Sequence, residues 1–244
     1  MPVVEWWQRR RAPLAWWALA GSVAGALKWQ FSAAAASDLQ WMLHPLALLL
    51  RALAGWEFLR DAEGNWACAG AGLVLVKACA GVNFMLLSFL GWCWLWRPVP
   101  ATCYACVRPS VPWPLRLGAA LVCAWLAALG VNALRIVLVA RGQPWLEQWL
   151  APADAHRLIG LLTYLPALCL QWSLAERGAP GRGVLLAAGA YATLLLGVPL
   201  ASGAAAADPR HYAAHLAWSL AVLAPFAGYA CWRANCRVRR FRGS

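Results

Sequence analysis

The residues best suited to chemistry stand at the head of an apolar run. Lys77-Ala-Cys79-Ala-Gly-Val-Asn83-Phe84 is a short polar stretch with a thiol, opening the apolar segment Val82–Trp96. Cys79 therefore belongs where a membrane helix meets water. If it begins an inward-running helix, exposed backbone N–H groups and the positive end of the dipole lie near its sulfur. Lys77 and Arg135 could add positive charge, and each influence raises the fraction of nucleophilic thiolate. Arg135 stands six residues before Arg141, about 9 Å along a helix and below the rim of a bilayer. A charge at that depth usually faces protein or a water-filled cavity and points to function. Its guanidinium, which never loses its charge, could stabilise an oxyanion or grip a carboxylate. His156 precedes a third apolar run and could take a proton from the thiol and return it to a leaving amine. Asn132 shares the helix face of Arg135, three residues earlier, and Asn83 lies one turn after Cys79. These two polar stripes at matching depth could support each other as a buried hydrogen-bonded layer.

Each of these residues has a plainer reading. Cys79 could be one more small apolar residue, as the six cysteines in or beside apolar stretches are read to be (Cys68, Cys93, Cys123, Cys169, Cys231, Cys236). Arg135 could snorkel to the interface, His156 could be a structural interfacial histidine, and the asparagines could merely glue helices together. The odd total of nine cysteines argues against a disulfide framework. Cys103-x-x-Cys106 has no second pair or nearby histidine, so it is a weak metal or redox signal. His211 and His215 have the i, i+4 spacing of a metal or haem pair without an adjoining acid or thiol, and His44 has no constellation. No metal or cofactor is expected.

These side chains need a scaffold, and the composition says which kind. The chain has 244 residues, 63% hydrophobic and 12% charged, against about 25% charged in average soluble domains. Several runs approach the ~20 apolar residues of a bilayer helix. The expectation is an all-α, polytopic membrane helical bundle of about six transmembrane helices, forming one domain over 1–244. The spans are Leu14–Ala36, Cys79–Trp96, Leu117–Ala140, Leu158–Leu174, Val184–Ser202 and Ala213–Trp232. Gln40–Gly55, shorter and holding His44, Pro45 and Arg51, reads as a re-entrant or interfacial helix. Glu57–Leu59 and Leu73–Val76 flank an Asp61/Gly64/Asn65 turn region, which predicts a short extracytoplasmic β-hairpin whose second arm delivers the chain to Cys79.

The net charge of +12 does not form one patch, so a nucleic-acid partner is not expected. Thirteen of the 21 Lys and Arg residues fall on one side of six crossings: Arg9–Arg11, the 97–116 loop, the 176–182 turn and the 233–244 tail. That side should be cytoplasmic, with both termini. Cys79, Arg135 and His156 then share the outer face. The start of the chain, lacking a clear small-residue cleavage site, reads as a retained first helix.

Cys79-Ala-Gly81-Val-Asn83-Phe84, then Asn132-Ala-Leu-Arg135-Ile136, then Ala155-His156-Arg157 resembles the archaeosortase/exosortase family, most closely its exosortase K branch. The likeness covers roughly 57–165, with Ala80 where the broader family often has Ser. It implies a membrane-embedded cysteine transpeptidase or protease, placed in the cytoplasmic (inner) membrane of a prokaryote, that cleaves a C-terminal sorting tail from exported proteins. By that resemblance Cys79 is the nucleophile, forming a thioester, His156 the proton-transfer residue and Arg135 the transition-state or substrate stabiliser. Asn83 and Asn132 are supporting candidates. The implied partners are a membrane-anchored protein substrate with a sorting tail, a cell-envelope acceptor and the lipid bilayer. The alternative is a non-enzymatic polytopic membrane transporter using Arg135 and His156 as a polar pathway. It has no convincing internal repeat in its favour.

Overall fold

The computed structural model describes residues 3–97, 111–176, 180–197, 200 and 203–242. Within them the chain is a helical bundle with a small antiparallel sheet at one end. Helix α1 (Val3–Ala33) is followed by a 3-10 turn (Ser37–Leu39) and α2 (Gln40–Ala54). Strands β1 (Leu59–Arg60), β2 (Trp66–Cys68) and β3 (Leu73–Leu75) come next, then a 3-10 turn over Lys77–Ala80. The long helices are α3 (Val82–Leu95), α4 (Trp113–Leu146), α5 (Pro152–Ala175), α6 (Pro180–Ala192), which runs into a π turn, and α8 (Pro209–Arg242). A short α7 (Ala204–Ala207) precedes the last of these.

Helix α3 is the axis of the bundle. Apart from Asn83 and Ser88 its residues are apolar or glycine, and it buries Val82, Phe84 to Phe89, Gly91 and Cys93, as a helix enclosed by others does. It packs against α1, α4, α5 and α6. Helix α4 approaches closely because Ala120, Ala124, Ala128 and Asn132 form a buried stripe of small residues every fourth position. Gly91 does the same for α5, since a Cβ there would lie 2.8 Å from Trp172 Nε1. On α1, buried Trp16 donates its ring N–H to Cys93 O at 3.1 Å.

Among the described residues three helical segments are long and apolar enough to cross a membrane: Lys77–Leu95, Trp113–Leu146 and Pro152–Ala175. They correspond to the second, third and fourth expected spans. Of the expected fifth span, α6 reaches Ala192 and continues as the π-helical segment Thr193–Gly197; residues 198, 199, 201 and 202 lie outside the described residues. The expected sixth lies within the continuous helix α8, Pro209–Arg242, whose stretch Tyr212–Phe226 is apolar. Gln40–Gly55 is a separate amphipathic helix with Met42, Leu43, Leu46, Ala47 and Leu50 buried on one face. It is closed by Gly55 at φ 71°, whose N–H bonds Arg51 O.

The expected hairpin is instead a three-stranded meander. β1 pairs with Trp66–Cys68, and it is this middle strand that pairs with Leu73–Leu75. The middle strand begins right after the turn residue Asn65, where its Trp-Ala-Cys sequence carries little polar/apolar alternation. Trp66 anchors it to α2, donating to Gln40 Oε1 at 2.8 Å and stacking on His44 at 5.1 Å between ring centroids.

Candidate active site

Cys79 does not begin a helix. It lies in the Lys77–Ala80 turn, and α3 starts at Val82 after Gly81, whose φ of 68° breaks the helical path. The left-handed conformation suits glycine. Space demands it too, because a Cβ on Gly81 would come within 3.2 Å of the Asn132 side chain. Cys79 is half-buried, one tight turn upstream of the helix end expected to sit at its sulfur. Its Sγ lies 4.0 Å from Val74 O on β3.

Four side chains link this turn to α4 and α5. Asn132, buried on α4, donates from Nδ2 to the backbone carbonyl of Cys79. Its Oδ1 accepts the Tyr164 hydroxyl at 2.7 Å. Arg135 Nη1 donates to the same hydroxyl at 3.4 Å, and the guanidinium stands 5.4 Å from the centre of the Tyr164 ring. Arg135 Nη2 then meets His156 Nε2 at 2.6 Å. A guanidinium only donates, so that imidazole nitrogen accepts and the ring is neutral there. Cys79, Asn132, Tyr164, Arg135 and His156 thus form one hydrogen-bonded chain. Phe84 stacks on the Tyr164 ring at 5.2 Å and fixes its plane. Gly160 leaves room for the guanidinium, since a Cβ there would be 3.3 Å from Arg135 Nε.

The chain of groups borders a cleft of about 850 Å³ lined by Gly81, Asn83, Arg135, His156, Tyr164 and Tyr191 among others. Ala78 and Gly81 form its wall on either side of Cys79. Lys77, Arg135 and Arg157 stand on its walls, with no Asp or Glu among the described lining residues. Arg157 is paired with Asp154 at 2.5 Å.

Arg135, His156 and Asn132 are brought together as their residue types suggested. Asn83 is not part of that group. Its Oδ1 accepts from Lys28 Nζ at 2.8 Å, so the two asparagines do not form a layer; α3 turns Asn83 toward α1. Lys77 is likewise held away, donating to Ser32 O at 3.0 Å and Ala34 O at 2.7 Å. No hydrogen bond joins Cys79 Sγ to Arg135 or His156 among the described residues; the thiol faces the sheet. Tyr164 is the member that sequence reasoning missed. Its one available signal was a phenol inside an apolar run, eight residues after His156 and so near the same helix face.

Cys103 and Cys106 lie outside the described residues, as does the side chain of His211. Among the described residues no three His, Cys, Asp or Glu side chains cluster as a metal site would need. No family model, no curated protein and no solved structure matches this chain.

Proposed function

We propose that the chain is a membrane-embedded cysteine transpeptidase or protease of the exosortase kind, acting on a C-terminal sorting tail at the extracytoplasmic face. The observation that carries this reading is the hydrogen-bonded chain from the Cys79 carbonyl through Asn132, Tyr164 and Arg135 to His156. It ties a thiol-bearing turn to a half-buried guanidinium and an exposed imidazole that line one cleft. Glueing helices would need no such sequence of groups, and preorganised donors beside a nucleophile are what acyl transfer requires.

In the proposed reaction the Cys79 proton passes to His156 and the sulfur attacks the scissile carbonyl carbon. Arg135 turns from His156 toward the developing oxyanion, freeing Nε2 for that proton. The C–N bond then breaks, His156 protonates the leaving amine, and a thioester remains on Cys79. An acceptor amine resolves the thioester in transpeptidation, and water resolves it in hydrolysis. Catalytic hydrogen bonds commonly tighten only once substrate is bound, which accommodates the present separation of Cys79 from His156. Six crossings with both termini cytoplasmic complete the proposal, supported by the distribution of basic residues; the prokaryotic inner membrane is what the family resemblance implies.

The test is acyl-enzyme capture with a tail-bearing substrate. Wild type is compared with Cys79→Ala, Cys79→Ser, Arg135→Ala and His156→Ala by mass spectrometry. A substrate fragment linked to Cys79, with cleavage lost in the four variants, is the expected result. Equal processing by Cys79→Ala removes the nucleophile and leaves Arg135 and His156 to be read as a transporter's polar pathway.

A further inference from the structure

The thiol of Cys79 faces the free edge of the meander. The strand order β1-β2-β3 makes β3 an edge strand, and pairing parity shows which of its groups point outward. Asp61 N–H donates to Asn65 O at 2.9 Å, and antiparallel partners alternate between bonded and non-bonded pairs. Leu59 and Ala67 are therefore the next bonded pair between β1 and β2. Trp66 and Cys68 consequently turn their backbone groups toward Leu75 and Leu73 of β3. Val74, opposite Ala67, must aim its N–H and C=O away from the sheet, and Val76 does the same.

Two contacts agree with this parity. Val74 O is the group that Cys79 Sγ approaches at 4.0 Å, and Val76 O accepts the Cys79 N–H at 2.8 Å. The outward N–H groups of Val74 and Val76 have no partner among the described residues, and both side chains are exposed. Natural sheets blunt such an edge with charge, proline, a bulge or a cover. The sequence Leu73-Val-Leu-Val76 has neither charge nor proline.

We infer that this edge receives the acyl side of the protein substrate as a fourth strand, resting on the reading of Cys79 as nucleophile. The N–H groups of Val74 and Val76 donate to carbonyls of the incoming segment, and Val74 O accepts one of its N–H groups. Neighbouring strands lie about 4.8 Å apart, and Cys79 Sγ occupies that same flank of β3. A peptide paired to the edge therefore passes the thiol in the sulfur's own layer. Beyond Val76 the chain runs into Lys77 and Ala78, which line the cleft, so a substrate leaving the edge enters the space between the helices. Main-chain pairing of this kind recognises extended backbone first and leaves sequence choice to alternate side chains.

The experiment compares two reagents on the full-length protein, with labelling quantified at Cys79 by peptide mapping. Acetyl-tetraalanyl chloromethyl ketone offers an extended backbone; the thiolate displaces its chloride to form a thioether. Iodoacetamide forms the same bond without a peptide. Rates are normalised to those on N-acetylcysteine. Val76→Pro removes one outward donor at a position already extended, at φ −102° and ψ 174°, and Val76→Ala keeps that donor. The expected result is a peptide advantage of about ten-fold, as one or two hydrogen bonds supply. It persists in Val76→Ala and falls at least several-fold in Val76→Pro, while iodoacetamide labelling of Cys79 is unchanged. A reagent N-methylated along its backbone loses the same advantage on wild type, which makes the result independent of how the proline variant folds. A peptide advantage that is absent, or indifferent to N-methylation, overturns the edge as the docking site. If iodoacetamide labels Cys79 no faster than Cys123, the nucleophile reading itself fails, and the inference falls with it.

Discussion

Tyr164 is the residue on which the site turns. Its hydroxyl donates to Asn132 and accepts from Arg135, so one oxygen couples the group holding the Cys79 carbonyl to the group beside His156. Tyr164→Phe keeps the stack on Phe84 and removes only that oxygen. It leaves Asn132 Oδ1, in a residue 1% exposed, without its donor, and it removes an acceptor of Arg135. Losing a hydrogen bond that orients a charged group costs about 1.5–3 kcal/mol, so substrate cleavage should fall about ten-fold or more. The check is the rate of tail cleavage alongside a melting measurement; an unchanged rate in a folded variant would remove Tyr164 from the machinery. Residue type and place in the apolar runs made Cys79, Asn132, Arg135 and His156 candidates, and the family resemblance gave Cys79, Arg135 and His156 their expected roles. Tyr164 was hidden for the opposite reason, since a phenol raises no alarm in an apolar helix. The bond of Asn83 to Lys28, 55 positions away on α1, was not legible, because no periodicity connects the two.

At the scale of elements, the run of structure from α2 to α3 is a device for presenting one turn. The meander lies on α2 through Trp66, Gln40 and His44, β3 hands the chain to the Cys79 turn, and Gly81 redirects it into α3. Apolar runs located α3, α4 and α5, and the expected short helix Gln40–Gly55 matches α2 to within a residue. Tertiary pairing, by contrast, decided the middle strand and the break before α3. The meander's own turn carries a pH dependence. Asp61 accepts from the backbone N–H and side-chain amide of Asn65 at 2.8 and 3.1 Å. Partial loss of water pushes its carboxyl pKa up, but the hydrogen bonds from Asn65 and the backbone of Glu63 and Gly64 outweigh this and hold it below the ordinary 3.8. A carboxyl depressed on folding stabilises the folded form above its unfolded pKa and loses that contribution as pH falls through the folded value. Protection of the turn amides against hydrogen exchange, corrected for intrinsic rates, should therefore hold above pH 3.8 and drop below it. Asp61→Asn should flatten that profile. A wild-type profile already flat through this window would show that the carboxylate does not hold the turn.

For the whole molecule, the bundle separates two chemically different ends. One end gathers Lys28, Lys77, the Cys79 turn, Arg135 and His156 with the meander. At the other, Glu176 takes hydrogen bonds from the Trp94 ring N–H and from Arg97, and Arg116 donates to Trp96 O. The three helical segments with crossing length run between these ends, so whichever face one end meets, the other meets its opposite. Loop charge favours the Arg97 end as cytoplasmic, because short basic loops are retained on that side. The expected outcome is labelling of Cys79 in intact cells by a membrane-impermeant maleimide. Cys93, buried near the Trp16 ring, should be protected until the protein is denatured. Fluorescent-protein fusions at both termini should be bright if the number of crossings is even, because the fluorophore matures in the cytoplasm. A dark C-terminal fusion beside a bright N-terminal one would make the number odd. The segment after Ala192, where α6 passes from α- to π-helical hydrogen bonding, would then be the one that fails to cross. Cys79 accessible only after permeabilisation would invert the bundle and place the cleft where an exported substrate cannot reach it.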